Sequence, residues 1–514
     1  MINEPSDLDP ASTEPITIAQ PLFDRLAAIR AAALHTLDSG LPVYGVNTGM
    51  GNLSKVRLTE DEQRVHQRNL LLGRAVGGPP WLPPDEARAV LIGRLRTFLT
   101  GDAAVSVGLI QQLVTLINSG VLPAVPAEGA GSAGEIIPLA HALGPLVGIG
   151  SVLDTGAEGI RPAAELLPAA EPRPAAELRP AAGLRPAAGA RPASGVLPRF
   201  ELGPKEGIAL LAGIPGASGR AALHARRTHG LADHLSSVAS GAIAVIGANR
   251  SPYSPAAARG DDFLVAEFGR IRALAGPEDE PRSLQAPVSF RVAGHVHAHL
   301  RRTLNALDDA VERAFAGVTD SPAYLDGEFI GTAGFHGIDL AAHCDHLTAA
   351  LAHAAEVSTA RLHRLLDPVV TGLPAQLAHE PGPQAGLVAV HKRAVATTHQ
   401  LRRLTLPTAI STAQTSNGQE DVQTFSWEAV GVLAEAIRLT RETTACELLA
   451  VRQAFALSNR PIPTGLSDLM RAVDAVVPPI DTDRPFGEDL TRLIEQVLSS
   501  SREVSKKGKP HLIF

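Results

Sequence analysis

Apolar and polar positions alternate at helical spacing over residues 86–118, in two pieces interrupted by Gly101-Asp102. Further along, Leu300, Leu304, Leu307, Val311 and Phe315 follow steps of three and four, the single apolar stripe of a packed helix. Val430, Leu433, Ile437, Leu448 and Val451 repeat the pattern between Trp427 and Phe455, a run without proline whose only glycine is Gly431. Strand-like alternation is confined to Pro42 to Val46 and Tyr324 to Ile330. The fold class this predicts is all-α in the main, built from long helices.

Composition adds limits. The 514 residues are 45% apolar, enough for a sizeable core, and only 4% aromatic, which suits alanine-rich helices packed closely. Formal charge is 46 − 53 = −7, and Arg502 to Lys509 is the one short basic block, so a small molecule is expected as partner rather than nucleic acid. The opening residues "MINEPSDLDP" are acidic where a secretory signal would be basic and then apolar, and no long uncharged apolar stretch follows. No membrane partner and a cytoplasmic location are therefore expected. Cys344 and Cys446 are too few for a disulfide framework or a four-cysteine zinc site and are expected to be buried apolar residues.

Arg161 to Gly195 repeats a six-residue unit, from "RPAAEL" to "RPASG". Proline in each copy removes an amide donor and blocks a continuous helix, which predicts a surface loop lengthened by duplication. A rigid binding arm is the alternative. His295, His297 and His299 lie at spacings of two, and on a helix only the outer pair shares a face. With His343 and His346 on another predicted helix, a metal site is weighed against solvated or supporting histidines. No zinc-ligand pattern or HEXXH motif accompanies them, and no metal is expected.

The stretch "VPAEGAGSAGEIIPLAHALGPLVGIG", Val125 to Gly150, crowds small residues ahead of an apolar helical run. Such a turn marks backbone that bends sharply or approaches something closely. Around it stand "YGVNTGMGNL" (Tyr44 to Leu53), "HQRNLLLGRAVG" (His66 to Gly77), "GEIIPLAHA" (Gly134 to Ala142), "PKEGIALLAG" (Pro204 to Gly213), "QAPVSFRV" (Gln285 to Val292), "AGFHGIDLA" (Ala333 to Ala341) and "GQEDVQ" (Gly418 to Gln423). In this order, these blocks resemble the histidine and phenylalanine ammonia-lyases. The resemblance implies a mainly helical subunit with a long central bundle of the fumarase-like type. It also implies a homotetramer whose active sites draw on three chains, and a prosthetic electrophile, methylidene-imidazolone, cyclised and dehydrated from an Ala-Ser-Gly triplet. The expected division is an N-terminal region at 1–200, with the lid tyrosine, the glycine-rich turn and the repeat loop at about 160–198, and a helical bundle at 201–514.

Here the triplet falls on Ser132-Ala133-Gly134, and Ala133 occupies the place of the serine that loses water. No methylidene is expected in that register; a shifted one, Gly131-Ser132-Ala133, would retain a central serine. The family's supporting asparagine in "LINGT" is Ala212, the tyrosine of "QDxYSLR" is Val288, the asparagine of "GNFHG" is Gly334, and the histidine of "NLxxSH" is Arg74. Losing a polar group together with its partners avoids leaving a buried atom unsatisfied, worth about 1–3 kcal/mol each. Other positions are kept. By resemblance Tyr44 is the catalytic base on a lid loop, Arg291 the clamp for a substrate carboxylate, and Phe335, His336, Gln419 and Glu420 line the site. Packing for Tyr44, an ion pair at a helix end for Arg291 and a hydrogen-bonded core position for His336 are the structural alternatives.

Three functions stand open on this basis. The first is an ammonia-lyase-like enzyme without the electrophile, acting on a small carboxylate whose own structure activates the proton, with Tyr44, Arg74 and Glu420 catalytic. The second is a degenerate subunit that assembles with an active paralogue. The third is a conventional aromatic amino acid or histidine ammonia-lyase in which Ser132 cyclises.

Overall fold

The structure, a computed structural model, describes residues 1–154, 159–167, 196–277, 281–410 and 413–499. Helix α1 (Gln20–Asp38) precedes α2 (Glu60–Leu72), whose entry is fixed by Thr59: its hydroxyl accepts from Glu62 N, and the Glu62 carboxylate accepts from Thr59 N at 2.8 Å. Helix α3 (Pro84–Phe98) starts on a proline, harmless where no intrahelical partner exists. Helix α4 (Val107–Ser119) is capped by Ser106 Oγ on Leu109 N at 3.1 Å and ends at Gly120 with φ 72°. The break between α3 and α4 contains Gly101-Asp102, as the pattern of apolar positions predicts.

Helix α5 (Ile136–Leu143) follows the glycine-rich turn, and the antiparallel hairpin of β1 (Ser151–Asp154) and β2 (Gly159–Pro162) pairs Ser151 with Pro162 and Val152 with Arg161. Helix α6 (Glu206–Leu211) leads into the 31-residue α7 (Pro215–Val245). Next come α8 (Asp262–Ala275), the short α9 (Val288–Arg291) and α10 (Ala293–Ala316), then the hairpin β3 (Ala323–Leu325) and β4 (Glu328–Ile330). The chain continues through α11 (Ile338–Leu365), α12 (Pro368–Thr371), α13 (Val388–Arg403), α14 (Ser426–Leu457), α15 (Ser467–Val476) and α16 (Phe486–Arg492). Both predicted long stripes are buried helix faces, from Leu300 to Phe315 and from Val430 to Val451.

Two compact units form. The first comprises Met1–Leu223, Leu307–Asp345 and Pro407–Gly431; the second comprises His224–Ala306, His346–Leu406 and Val432–Phe514. They do not part near residue 200, because long helices carry the chain in and out of each unit. In the first unit, α3 supplies Leu91, Leu95 and Phe98 to a core shared with Leu113 of α4, Leu139 of α5 and Ile208 of α6. Burying each such side chain contributes about 1.5–3 kcal/mol. Helix α3 also meets the start of α7 backbone to backbone: a Cβ at Gly93 would strike the Pro215 carbonyl oxygen, and one at Gly219 the Ala89 carbonyl oxygen. The second unit has a core that includes Ile243, Phe268, Leu365, Leu449, Val473 and Leu493, and it also holds a fully buried pair, Arg361 Nε to Glu447 Oε1 at 2.7 Å.

Cys344 and Cys446 are free and buried, as expected, and burial pushes the Cys446 thiol up to about 12. Two expectations are corrected. Pro42 to Val46 is a turn rather than a strand, because the Asn47 side chain accepts from Val43 N at 2.7 Å and Val46 N bonds back to Val43 O at 3.1 Å. The first repeat copy is not loop: Arg161 and Pro162 belong to β2, and Ala163 and Leu166 are buried in a helical turn after it. Residues 168–195, the remainder of the repeat, lie outside the described residues, as does the basic block at 502–509.

Candidate active site

The glycine-rich turn is held from both sides. Trp427 Nε1, at the start of α14, donates to Ala127 O at 2.9 Å, and the Arg220 guanidinium lies over the Trp427 ring at 4.4 Å. At the other end Glu135 is fully buried, and its carboxylate accepts from Gly216 N at 2.8 Å and Ala217 N at 2.7 Å. These are free amides of the first turn of α7, a natural seat for a negative group. Burial nevertheless dominates and pushes the Glu135 carboxyl up to about 7, against the pull of those amides and of Arg94 and Arg220. Between the two anchors, Gly134 has φ +76°, and a Cβ there would lie 3.1 Å from Gly213 O and 3.6 Å from Phe335 Cβ. The turn therefore presses against the loop after α6 and against the Phe335 segment.

At the turn itself, Ser132 is buried and its hydroxyl makes a long contact of 3.4 Å to Gly134 O. The Ala133 amide donates to Glu420 Oε2 at 2.9 Å. Glu420 is fixed further by Thr415 Oγ1 at 3.0 Å and Ser416 Oγ at 3.2 Å. The Ser416 loop in turn meets the Tyr44 to Leu53 loop, since a Cβ at Gly51 would sit 3.9 Å from Ser416 Cβ. The Gly51 amide donates to the Tyr44 oxygen at 2.7 Å, and Tyr44 is 37% exposed. Arg74, just past the end of α2, places its guanidinium within electrostatic reach of both Tyr44 and Glu420. Burial lowers the Arg74 pKa from its ordinary value, while those two groups raise it. Tyr44, Arg74, Glu420 and the 132–134 turn thus come together in the first unit.

Other expected residues take different places. Phe335 and His336 form a short turn beside Gly134, and the His336 carbonyl accepts from the Thr424 hydroxyl. Gln419 is exposed, and its amide closes a turn on Ser416 O at 3.2 Å. Arg291 belongs to the second unit, at the last residue of α9, where its Nε is buried without a partner, and Val288 is exposed at the start of the same helix. Gly334 and Ala212 have structural roles of their own. At Gly334 a Cβ would collide with the Val318 carbonyl oxygen, so this backbone has no room for any side chain. The Ala212 carbonyl accepts from the buried Arg94 guanidinium, which burial brings down to about 10.

The histidines separate by environment. His297 is 1% exposed with Nδ1 3.5 Å from Glu267 Oε1, so it is a core residue, and burial lowers its pKa against the pull of that carboxylate. His295 and His299 line an open groove of about 740 Å³ in the second unit, with Val288, Val292, Val296 and Val357. Among the described residues no group of three or more His, Cys, Asp or Glu is arranged to hold a metal. No helix of the described residues is long and apolar enough to cross a membrane. Sequence reasoning missed Glu135, Gly51, Trp427 and the buried pair Lys205 Nζ to Asp320 Oδ1 at 2.6 Å. A signal existed for the first: an acid immediately after a glycine-rich turn and before an apolar run is out of place unless it is bonded.

A mainly helical subunit whose glycine-rich turn buries Ser132 and donates the Ala133 amide to Glu420, with Arg74 close to that carboxylate and to Tyr44, is the arrangement of a helical lyase, and comparisons agree. The sequence model described as aromatic amino acid lyase matches residues 8–477, and the chain belongs to this family. It is 28% identical to histidine ammonia-lyase of Deinococcus radiodurans over 498 residues, 95% of this chain and 90% of that protein. A probable histidine ammonia-lyase of Thermoplasma volcanium is 27% identical over 490 residues, covering 94% of each. Among solved structures, the ergothioneine-degrading enzyme ergothionase of Treponema denticola aligns with TM-score 0.83 at 21% identity, over 98% of both chains.

Proposed function

We propose that the protein is an ammonia-lyase-like enzyme that acts on a small amino-acid-derived carboxylate by proton abstraction with elimination, addition or isomerisation, and that it does so without a methylidene-imidazolone. The observation that carries this reading is the methyl side chain of Ala133 in a turn whose amide Glu420 still holds, with Arg74 within electrostatic reach of that carboxylate and of Tyr44. Dehydration needs a hydroxyl on the central residue, and Ala133 has none. The residues nearby do not fit the group either: Ala212 offers no side-chain donor, and Gly334 sits where no side chain has room.

Tyr44 is the acid or base, its oxygen held by the Gly51 amide. Arg74 stabilises negative charge as it develops, the use of a preorganised cation in a partly dry site. Glu420 holds the turn and faces the leaving group, and Arg291, which belongs to the second unit, anchors the substrate carboxylate of a neighbouring subunit's site with its two-pronged donor set, in keeping with the resemblance to a family whose sites draw on three chains. Phe335, His336 and Gln419 complete the substrate side. The assembly is a homotetramer in the cytoplasm, as the family resemblance suggests, or a hetero-oligomer with a paralogue. The names of the relatives support loss of an amine as the reaction class; the replaced positions argue that their substrate does not carry over.

Intact mass and ultraviolet absorbance of the purified protein test the reading. An unmodified mass is expected. A mass lower by two water molecules would overturn it and restore a conventional deaminase cyclised at Ser132. Once a substrate is in hand, Tyr44→Phe is expected to abolish turnover, and unchanged turnover would remove Tyr44 from the mechanism.

A further inference from the structure

Arg74 brings its charge to the cluster without a hydrogen-bonded acid. Its Nη1 donates to Leu70 O at 3.3 Å, its Nη2 faces Met50 Sδ at 3.7 Å, and its Nε is buried with no partner. Glu420 is within electrostatic reach, yet its oxygens already accept from Ala133 N, Thr415 Oγ1 and Ser416 Oγ. His66, lowered by burial and by Arg74, also has a buried Nε2 without a partner. A half-buried guanidinium in this state has donors available for a ligand's oxygens, and its planar fork matches a carboxylate.

The chemistry asks for an anion at the same place. With no electrophile at residue 133, the acidity of the C–H bond must come from the substrate. An acyl group on the carbon that loses the proton supplies it, by drawing the electron pair towards its oxygens. A cation beside those oxygens stabilises the charge as it forms.

We propose that Arg74 binds a second carboxylate of the substrate, so that the substrate is a dicarboxylate with an amine on the carbon next to the one deprotonated; this rests on the reading in the preceding subsection. Tyr44, as the base, takes a proton from the methylene attached to the Arg74-bound carboxylate. The C–H electron pair becomes the new C=C bond, and the C–N pair leaves with the amine, which takes a proton from solvent. The products are an unsaturated dicarboxylate and the amine. Nothing is oxidised or reduced, and no co-reactant is required.

Calorimetric titration of the purified full-length protein with succinate and with butyrate, unreactive probes of similar length, tests this. Succinate is expected to bind about tenfold or more tightly than butyrate, the effect of one charge-assisted contact of roughly 1.4 kcal/mol. Arg74→Gln is expected to bring the ratio close to one, and Arg74→Lys, which keeps the charge without the fork, to retain part of it. Should the Gln variant not fold, the Lys variant carries the test alone, and a ratio equal to wild type there would count against a planar carboxylate site. Equal binding of the two probes by wild type, or an undiminished ratio in Arg74→Gln, overturns the proposal. The intact mass separates the two levels: a dehydrated mass sinks the electrophile-free reading itself, whereas an unmodified mass with no succinate preference sinks only the dicarboxylate.

Discussion

The backbone amide of Ala133 donates to the carboxylate of Glu420 at 2.9 Å, joining residues 287 positions apart in sequence. The carboxylate also receives Thr415 and Ser416, so one side chain ties the glycine-rich turn to the 415–420 loop. Glu420→Ala is expected to destabilise the protein by about 1–3 kcal/mol, because the Ala133 amide is left without its acceptor. Glu420→Gln, which keeps an acceptor oxygen, is expected to fall well short of that. Urea unfolding of both variants against wild type checks the order.

On the proposed reading, placing a serine at position 133 is not expected to generate the methylidene-imidazolone. In Ala133→Ser the hydroxyl is present, but Ala212 and Gly334 still provide no supporting side chain. The variant is expected to keep its full mass by intact mass spectrometry. Loss of two waters would establish that the backbone alone drives cyclisation.

Gly334 sets a steric limit. Any side chain there meets the Val318 carbonyl oxygen, a backbone atom that cannot swing aside. Gly334→Asn is expected to be destabilising by about 1–3 kcal/mol or more, in the manner of an overpacked core. The midpoint of thermal unfolding is the readout.

Glu135 makes stability depend on pH in an uncommon direction. Burial raises its carboxyl from the ordinary 4.5 to about 7, with Arg94 and Arg220 as the charged groups acting on it. The folded state therefore binds a proton more readily than the unfolded chain. The penalty of the ionised form is present above pH 7 and lifts as pH falls from about 7 towards 4.5. At full extent it is on the order of 3 kcal/mol. Glu135→Gln, which cannot ionise, is expected to flatten this part of the profile, as measured by unfolding free energies between about pH 4 and about pH 8, which bracket the window. An equal slope in wild type and variant would reassign the effect to other groups.

The buried pair of Lys205 and Asp320 predicts a contrast between single and double changes. Lys205→Met strands the Asp320 charge and is expected to cost about 3–5 kcal/mol. Adding Asp320→Leu is expected to recover much of it, since an apolar pair has no charge to desolvate. A double-mutant cycle measures the difference.

Long helices were legible because their apolar stripes repeat over many turns, as from Leu300 to Phe315, and the hairpin at Tyr324 was legible from its alternation. The Pro42 to Val46 turn was misjudged because one side chain, Asn47, overrides a short apolar run. Of the site, the motif residues Tyr44, Arg74 and Glu420 could be named in advance, and the structure brings them together. The contact between Glu420 and Ala133, the seat of Glu135 on α7 and the Lys205 pair could not, because each depends on distant segments meeting, which no local pattern encodes.

Where α3 and α7 touch through Gly93 and Gly219, the separation of two helices is set by main-chain atoms alone. Tolerance to sequence change is therefore distributed unevenly: those two glycines are locked by main-chain atoms, whereas Gly131 in the glycine-rich turn has open space where a side chain would stand.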